Sequence, residues 1–170
     1  MNENIMFTPH FKLCEFVRSE TAEKQGIENN PSPEAVENLR LLSIHTLEPL
    51  REALGLPIVI TSGYRCKALN DLIAHHSQRS QHMEGRAADF YVISRRNGGN
   101  GRNASHRELL IEAFRTIITS PEIDYDQLII YPTFIHVSFV SHSDNRHKIM
   151  SANGQGTYRA LTRAAALAIV

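Results

Sequence analysis

The chain has 170 residues, 42% of them apolar, which suits one domain around one continuous core. Its 18 Lys and Arg balance 18 Asp and Glu, so no net field draws it to polyphosphate or an anionic membrane, and nucleic acid is not an expected partner. No stretch reaches the roughly 18 apolar residues of a membrane span, and the start MNENIMFTPHF lacks the basic-then-apolar pattern of an export signal.

Cys14 and Cys66 fit neither a disulfide framework nor a CxxC knuckle and read as reduced, buried small hydrophobes. Pro31-Ser32-Pro33-Glu34 starts a helix, with Ser32 as cap and Pro33 in the first turn; Val36, Leu39, Leu42, Leu47, Leu50 and Leu54 form its apolar side. Pro49 is expected to kink or divide it. Leu56 to Thr61 reads as a strand, and Ser62-Gly63-Tyr64-Arg65 leads into a short helix over Lys67 to His75. A strand follows at Ala88 to Ile93, and SRRNGGNGRN (94–103) is a polar, Gly-rich loop. Ser105-His106-Arg107-Glu108 has capping-box spacing before Leu109, Leu110, Ala113, Phe114, Ile117 and Ile118. Strands at Gln127 to Tyr131 and Phe134 to Val140 join through a tight Pro132-Thr133 turn, and TYRALTRAAALAIV reads as an amphipathic helix packed on the domain. The order is α+β: a single domain over 1–170, core about 7–140 and tail 141–170, with a small, mostly antiparallel sheet flanked by helices.

The chain has nine histidines, of which His10, His45, His75, His76, His106, His142 and His147 carry no pattern separating a ligand from an ordinary imidazole. His82 and Asp89 stand on either side of a Gly-containing turn, with Asp89 entering a strand. Period-two alternation sets Ala88, Phe90 and Val92 on one face of that strand and Asp89 on the other; in the last strand it sets His136 opposite Ile135 and Val137. If the strands are neighbours, His82, Asp89 and His136 share one concave face. Two imidazoles and a carboxylate suit Zn²⁺ and leave a fourth position for water, as in catalytic sites. Spacing alone fits equally a turn-stabilising Asp with two ordinary histidines. A third arrangement closes a structural zinc site with His142.

Ser80-Gln81-His82-Met83-Glu84-Gly85-Arg86-Ala87-Ala88-Asp89 matches an S-x-H-x-x-G-x-A-x-D signature, and Ile135-His136-Val137-Ser138 looks like a final ligand strand. With Thr61-Ser62-Gly63-Tyr64-Arg65, Leu69-Asn70, FKLCEFVRSETA and NLRLLSIHTLEPLREALG, the chain resembles the peptidase M15 family of zinc D-Ala-D-Ala carboxypeptidases and cell-wall endopeptidases, from about Phe7 to about Phe139. The resemblance implies a hedgehog/D-Ala-D-Ala-peptidase-like fold and one zinc held by His82, Asp89 and His136. It also implies that Arg65 binds the substrate carbonyl or its oxyanion and that Ser80 positions the peptide. Alternatives from the residues themselves are a salt bridge for Arg65 and a turn-capping hydroxyl for Ser80.

One part of the family pattern is missing. A carboxylate commonly precedes the last His and serves as general base, whereas here Tyr131 and Thr133 stand nearest His136. Glu84, Asp126 or Tyr131 are the candidates to take its place. The implied function is hydrolysis of peptidoglycan stem peptides, foremost at D-alanyl-D-alanine, with loop 94–103 as a possible cleft wall that would decide between carboxypeptidase and endopeptidase. Alternatives are a phage-type endolysin endopeptidase and a zinc-containing wall-binding or virion module without turnover. A monomer is expected, made in the cytoplasm and reaching the bacterial wall by lysis, a dedicated pore or an unrecognised export route, which suggests a phage or prophage role.

Overall fold

The computed structural model describes residues 5–74, 77–94 and 104–169. His75 and His76, and nearly all of loop 94–103, the expected cleft wall, lie outside the described residues. Helices α1 (Leu13–Val17), α2 (Glu20–Gln25), α3 (Pro33–Leu42) and α4 (Glu48–Leu54) form the amino-terminal half. Helix α3 begins where its sequence directs, with the Ser32 hydroxyl accepting from the Ala35 N–H at 3.2 Å and Pro33 in the first turn.

Pro49 divides the long helix by widening it. Ser43–Leu47 forms a π-helical turn in which the Glu48 N–H reaches the Ser43 carbonyl. Proline has no N–H to give the His45 carbonyl four residues back, and that carbonyl accepts from Asp124 N–H at 3.0 Å. Thr46 Oγ1 donates to the Asp124 carbonyl at 2.6 Å, so the unwound turn anchors the chain just before the third strand.

Strands β1 (Ile58–Ser62), β2 (Ala87–Val92), β3 (Gln127–Ile130), β4 (Ile135–Ser138), β5 (Lys148–Ala152) and β6 (Tyr158–Ala160) make one sheet in the order β1-β2-β4-β3-β5-β6. All pairs are antiparallel except β3 with β5. The protein is thus an α+β single domain with a mixed, mostly antiparallel sheet. One face carries Ala88, Phe90, Leu128, Ile130, Ile135 and Val137, all buried in the core with Leu39, Leu42, Leu50 and helix α6 (His106–Thr119). The capping box of α6 is present: Ser105 Oγ accepts from Glu108 N–H, and the Glu108 carboxylate accepts from Ser105 N–H. Among the described residues no helix is long and apolar enough to cross a membrane.

The tail departs from the expected helix. Only Arg163–Leu167 is helical (α7); β5 and β6 extend the sheet, and Ile149 and Ala166 join the core. Pairing of β6 along β5 outweighs the helical leaning of Tyr158–Ala160 at the start of the expected helix, because each strand residue gains a ladder partner that an isolated short helix lacks. The helix after Arg65 is also shorter than expected, α5 covering Lys67–Asp71. Cys14 and Cys66 are free and half-buried, not enclosed.

Gly85 closes the turn that carries His82. Its φ is +71°, and a Cβ there would lie 2.2 Å from the Ala35 carbonyl oxygen on α3. Gly85→Ala therefore combines a left-handed backbone costing about 1–2 kcal/mol with a clash against a helix backbone. Its thermal unfolding midpoint should drop by several degrees relative to wild type; an unchanged melt would show that the α3 contact is dispensable.

Candidate metal centre and its cleft

The register of the sheet builds the site. Asp89 on β2 lies directly opposite His136 on β4, so both side chains leave the sheet on the same face, away from the core. His82 comes from a 3₁₀ turn, Gln81–Glu84, that leads through Gly85 into β2. Its Nδ1 lies 2.6 Å from the Gly63 carbonyl, which can only accept, so Nδ1 carries the proton and Nε2 presents a bare lone pair. Gly63 itself fits because it has no side chain: a Cβ would lie 2.5 Å from the Phe16 carbonyl oxygen.

His82 Nε2, Asp89 Oδ1 and His136 Nδ1 converge. The separations are 3.3 Å from His82 to Asp89, 2.8 Å from His136 to Asp89 and 3.2 Å between the imidazoles. A tetrahedral zinc with bonds near 2.0–2.1 Å spaces its ligand atoms about 3.3 Å apart, so this triangle already approximates one face of such a site. Burial pushes the His82 imidazole pKa down and keeps it neutral, as a ligand must be. Burial alone would raise the Asp89 carboxyl, but His82 and His136 hold it well below the usual carboxylate range. Among the described residues these three are the group able to hold a metal. His142 is not a fourth member; it sits elsewhere, with Nδ1 2.6 Å from Asp124 and its ring against His45.

The trio lies in a cleft of about 790 Å³. Its floor follows the sheet: Asp89, His136, Ile129 and Met150 are consecutive register partners across four strands, with Ser138, Gln127 and Lys148 in the row beside them. Arg65 overhangs this floor. Its backbone N–H donates to the His82 carbonyl at 3.1 Å, and its guanidinium reaches only Ser80 Oγ, at 3.4 Å. Nε is buried without a hydrogen-bond partner, and among the described residues Arg65 makes no ion pair. No carboxylate is within ion-pair distance of Arg65 there, Asp89 acting on it only at longer range, and a half-buried cation is left with donors to spare.

The candidate proton carriers are differently placed. Glu84 ends the 3₁₀ turn, largely exposed, with its carboxylate 3.3 Å from Arg86 Nε. Asp126 is fully buried and engaged on both oxygens: Arg146 donates from its backbone, from Nε at 2.8 Å and from Nη2, and Gln81 Nε2 donates at 2.8 Å. Tyr131 lines the cleft, stacked on Phe134 at 4.2 Å, with its hydroxyl donating to Tyr158 at 3.1 Å. Burial, with Tyr158 and Asp89 nearby, raises the Tyr131 phenol and keeps it protonated. In this arrangement its hydroxyl serves as a hydrogen-bond donor. Arg146, Gln81 and Tyr158 escape a sequence reading because their partners lie 20, 45 and 27 residues away.

Two outcomes follow. Titration of metal-free protein with zinc should give one site per chain, and His136→Ala or Asp89→Ala should weaken it by about 100-fold or more; calorimetry showing wild-type affinity in either variant would remove the trio as ligands. The second concerns acid. Burial would raise the Asp126 carboxyl, but the Arg146 and Gln81 hydrogen bonds hold it at about 2. A depressed folded-state pKa contributes stability above the unfolded value, near 4, that is lost as pH falls toward 2. The contribution is about 2 kcal/mol at most, reduced by the solvent around half-exposed Arg146. Denaturant melts of Asp126→Asn should show lower stability at pH 7 and a shallower decline between pH 4 and 2; a slope equal to wild type would contradict this.

No curated protein sequence matches the chain. The family model described as Peptidase M15 matches residues 9–115, which include Arg65, Ser80, His82 and Asp89, while His136 lies beyond the matched segment. With more than half of the chain matched and the metal-holding trio assembled, the chain belongs to the Peptidase M15 family of metallopeptidases, hydrolases of peptide bonds.

Proposed function

We propose that the protein is a zinc-dependent hydrolase of peptidoglycan stem peptides, with the D-alanyl-D-alanine bond as first substrate and carboxypeptidase action ahead of endopeptidase action. The observation that carries this reading is the His82, Asp89 and His136 triangle in a cleft that it shares with Arg65, a half-buried arginine that makes no ion pair among the described residues and whose Nε has no hydrogen-bond partner. Zinc at the trio supplies a Lewis acid that activates water as nucleophile and polarises the scissile carbonyl.

The chain's own groups do the rest. The Gly63 carbonyl fixes the His82 ring by accepting from Nδ1–H. Arg65 receives the carbonyl oxygen and stabilises the charge that grows on it as the tetrahedral species forms. Ser80 Oγ steadies the guanidinium and is itself placed to meet the peptide. Asp126, Arg146 and Gln81 tie the ligand turn to β3 and to the loop after β4. Ile129 and Met150 give the substrate a dry floor. For proton transfer, Glu84 is the lining carboxylate that needs least to be freed, since a single partly exposed Arg86 contact holds it.

That same step favours a second reading. Asp126 is committed to Arg146 and Tyr131 retains its proton, so a zinc-containing wall-binding or virion module without turnover also fits the trio. In either case the site of action is the bacterial wall, reached after release from the cell that makes the protein, and the working unit is a monomer.

Mass spectrometry of defined muropeptides, including a pentapeptide ending in D-Ala-D-Ala, separates these readings. Zinc-loaded protein should remove one alanine, chelated protein should not, and Arg65→Ala should lower kcat by about 10²–10³ with zinc still bound. An internal cut would make it an endopeptidase. No product from any stem, with one zinc per chain, would sink the hydrolase and leave the binding module.

A further inference from the structure

Tyr158 enters the cleft from outside the segment matched to the family. The turn Asn153 to Thr157, with Gly154 and Gly156 at φ +78° and +85°, returns the chain from β5 into β6 and sets Tyr158 opposite Ala152. Ala152 lies two residues beyond Met150 on β5, so Tyr158 leaves the sheet on the cleft face, and the Tyr131 and Tyr158 rings meet edge to face, centroids 6.3 Å apart. The Tyr131 hydroxyl donates to that of Tyr158 at 3.1 Å, which leaves the Tyr158 proton free to donate onward. Both rings line the cleft that holds His136 and Arg65, and both lie within electrostatic range of the Arg65 guanidinium.

Two free donors, the Arg65 guanidinium and the Tyr158 hydroxyl with Tyr131 behind it, thus share a cleft whose lining carboxylates are engaged: Asp89 with His82 and His136, Glu84 and Asp126 with arginines, and Asp144 with the Ser141 hydroxyl. Such a wall has an excess of hydrogen-bond donors over free acceptors. An anionic oxygen on the substrate is the complement to it. A phenol that accepts one hydrogen bond becomes a stronger donor in the next, and Arg65 stabilises the partial charge left on the Tyr158 oxygen.

We propose that Tyr158 is a substrate-contacting catalytic residue that donates its hydroxyl proton, with Arg65, to the oxyanion developing on the scissile carbonyl, and that Tyr131 is the positioning residue that orients and polarises it. This rests on the peptidase reading above. No proton is transferred: the Tyr158 O–H bond stays intact while its hydrogen bond shortens in the transition state. The pair offsets part of what the absent carboxylate supplies in related enzymes by lowering the barrier to attack, not by moving the proton.

The test uses zinc-loaded full-length protein, the D-Ala-D-Ala pentapeptide and a phosphinate analogue of D-Ala-D-Ala, whose phosphinyl oxygens mimic the tetrahedral species. For Tyr158→Phe the expected result is kcat lower by about 100-fold, KM within about twofold and the phosphinate bound correspondingly more weakly, with zinc stoichiometry and thermal midpoint as in wild type. Tyr131→Phe should give a smaller loss, and adding it to Tyr158→Phe should cost nothing further, because Tyr131 acts through Tyr158. Wild-type kcat and phosphinate affinity in Tyr158→Phe would overturn the proposal while leaving the peptidase intact. A rise in KM with kcat unchanged would also overturn it, making Tyr158 a ground-state contact. A wild-type protein that neither cleaves the peptide nor binds the phosphinate would overturn the peptidase reading, and this inference with it.

Discussion

Everything at the site depends on the pairing of β2 with β4 in one register. Asp89 faces His136 across that ladder, and because side chains alternate, a slip of one strand by one residue would turn its ligand candidate into the core face and bring Ala88 or Val137 into the cleft in its place. The register is well defended, since Ala88, Phe90, Ile135 and Val137 are all fully buried on the other side. The apolar packing of one face therefore specifies the chemistry of the opposite face. The remaining ligand is added by a short turn whose entry and exit are fixed by backbone contacts, Arg65 N–H to the His82 carbonyl and Gly85 against α3.

The cleft is electrostatically asymmetric in a way its neutral net charge conceals. Asp89 faces the two imidazoles and Glu84 and Asp126 face arginines, while Arg65 is half-buried with an unused Nε donor. A partly desolvated cation with an unsatisfied donor is costly, and its position beside a trio able to hold a metal suits a negatively charged or strongly polarised oxygen.

Much of this was legible because it is local. Ser32 and Ser105 cap helices through contacts three residues away, and the 80–89 segment carries two ligands, the capping glycine and the strand entry within ten positions. Alternation alone separates His136 from its apolar neighbours. What stayed hidden is nonlocal. The segment from Thr157 reads as a helix in isolation, and only the free edge of β5 makes Tyr158–Ala160 a strand, which brings Tyr158 to the cleft. Likewise nothing around Asp126 announces Arg146, so a carboxylate that reads as an available base is structurally committed. Pro49 foretells a disturbance of the helix but not that the orphaned His45 carbonyl would be claimed by Asp124, far along the chain.

The ligands come from widely separated segments: His136 meets Asp89 across 47 residues and His82 across 54. No short stretch of the unfolded chain presents the trio, so a metal ion gains its full affinity only after the long loop between them has been closed by the sheet. Metal binding at the trio would thereby fall at the end of folding. An ion held there would work as a latch on a finished structure and not as a nucleus for an unfinished one, with its main kinetic effect on how slowly the native state opens.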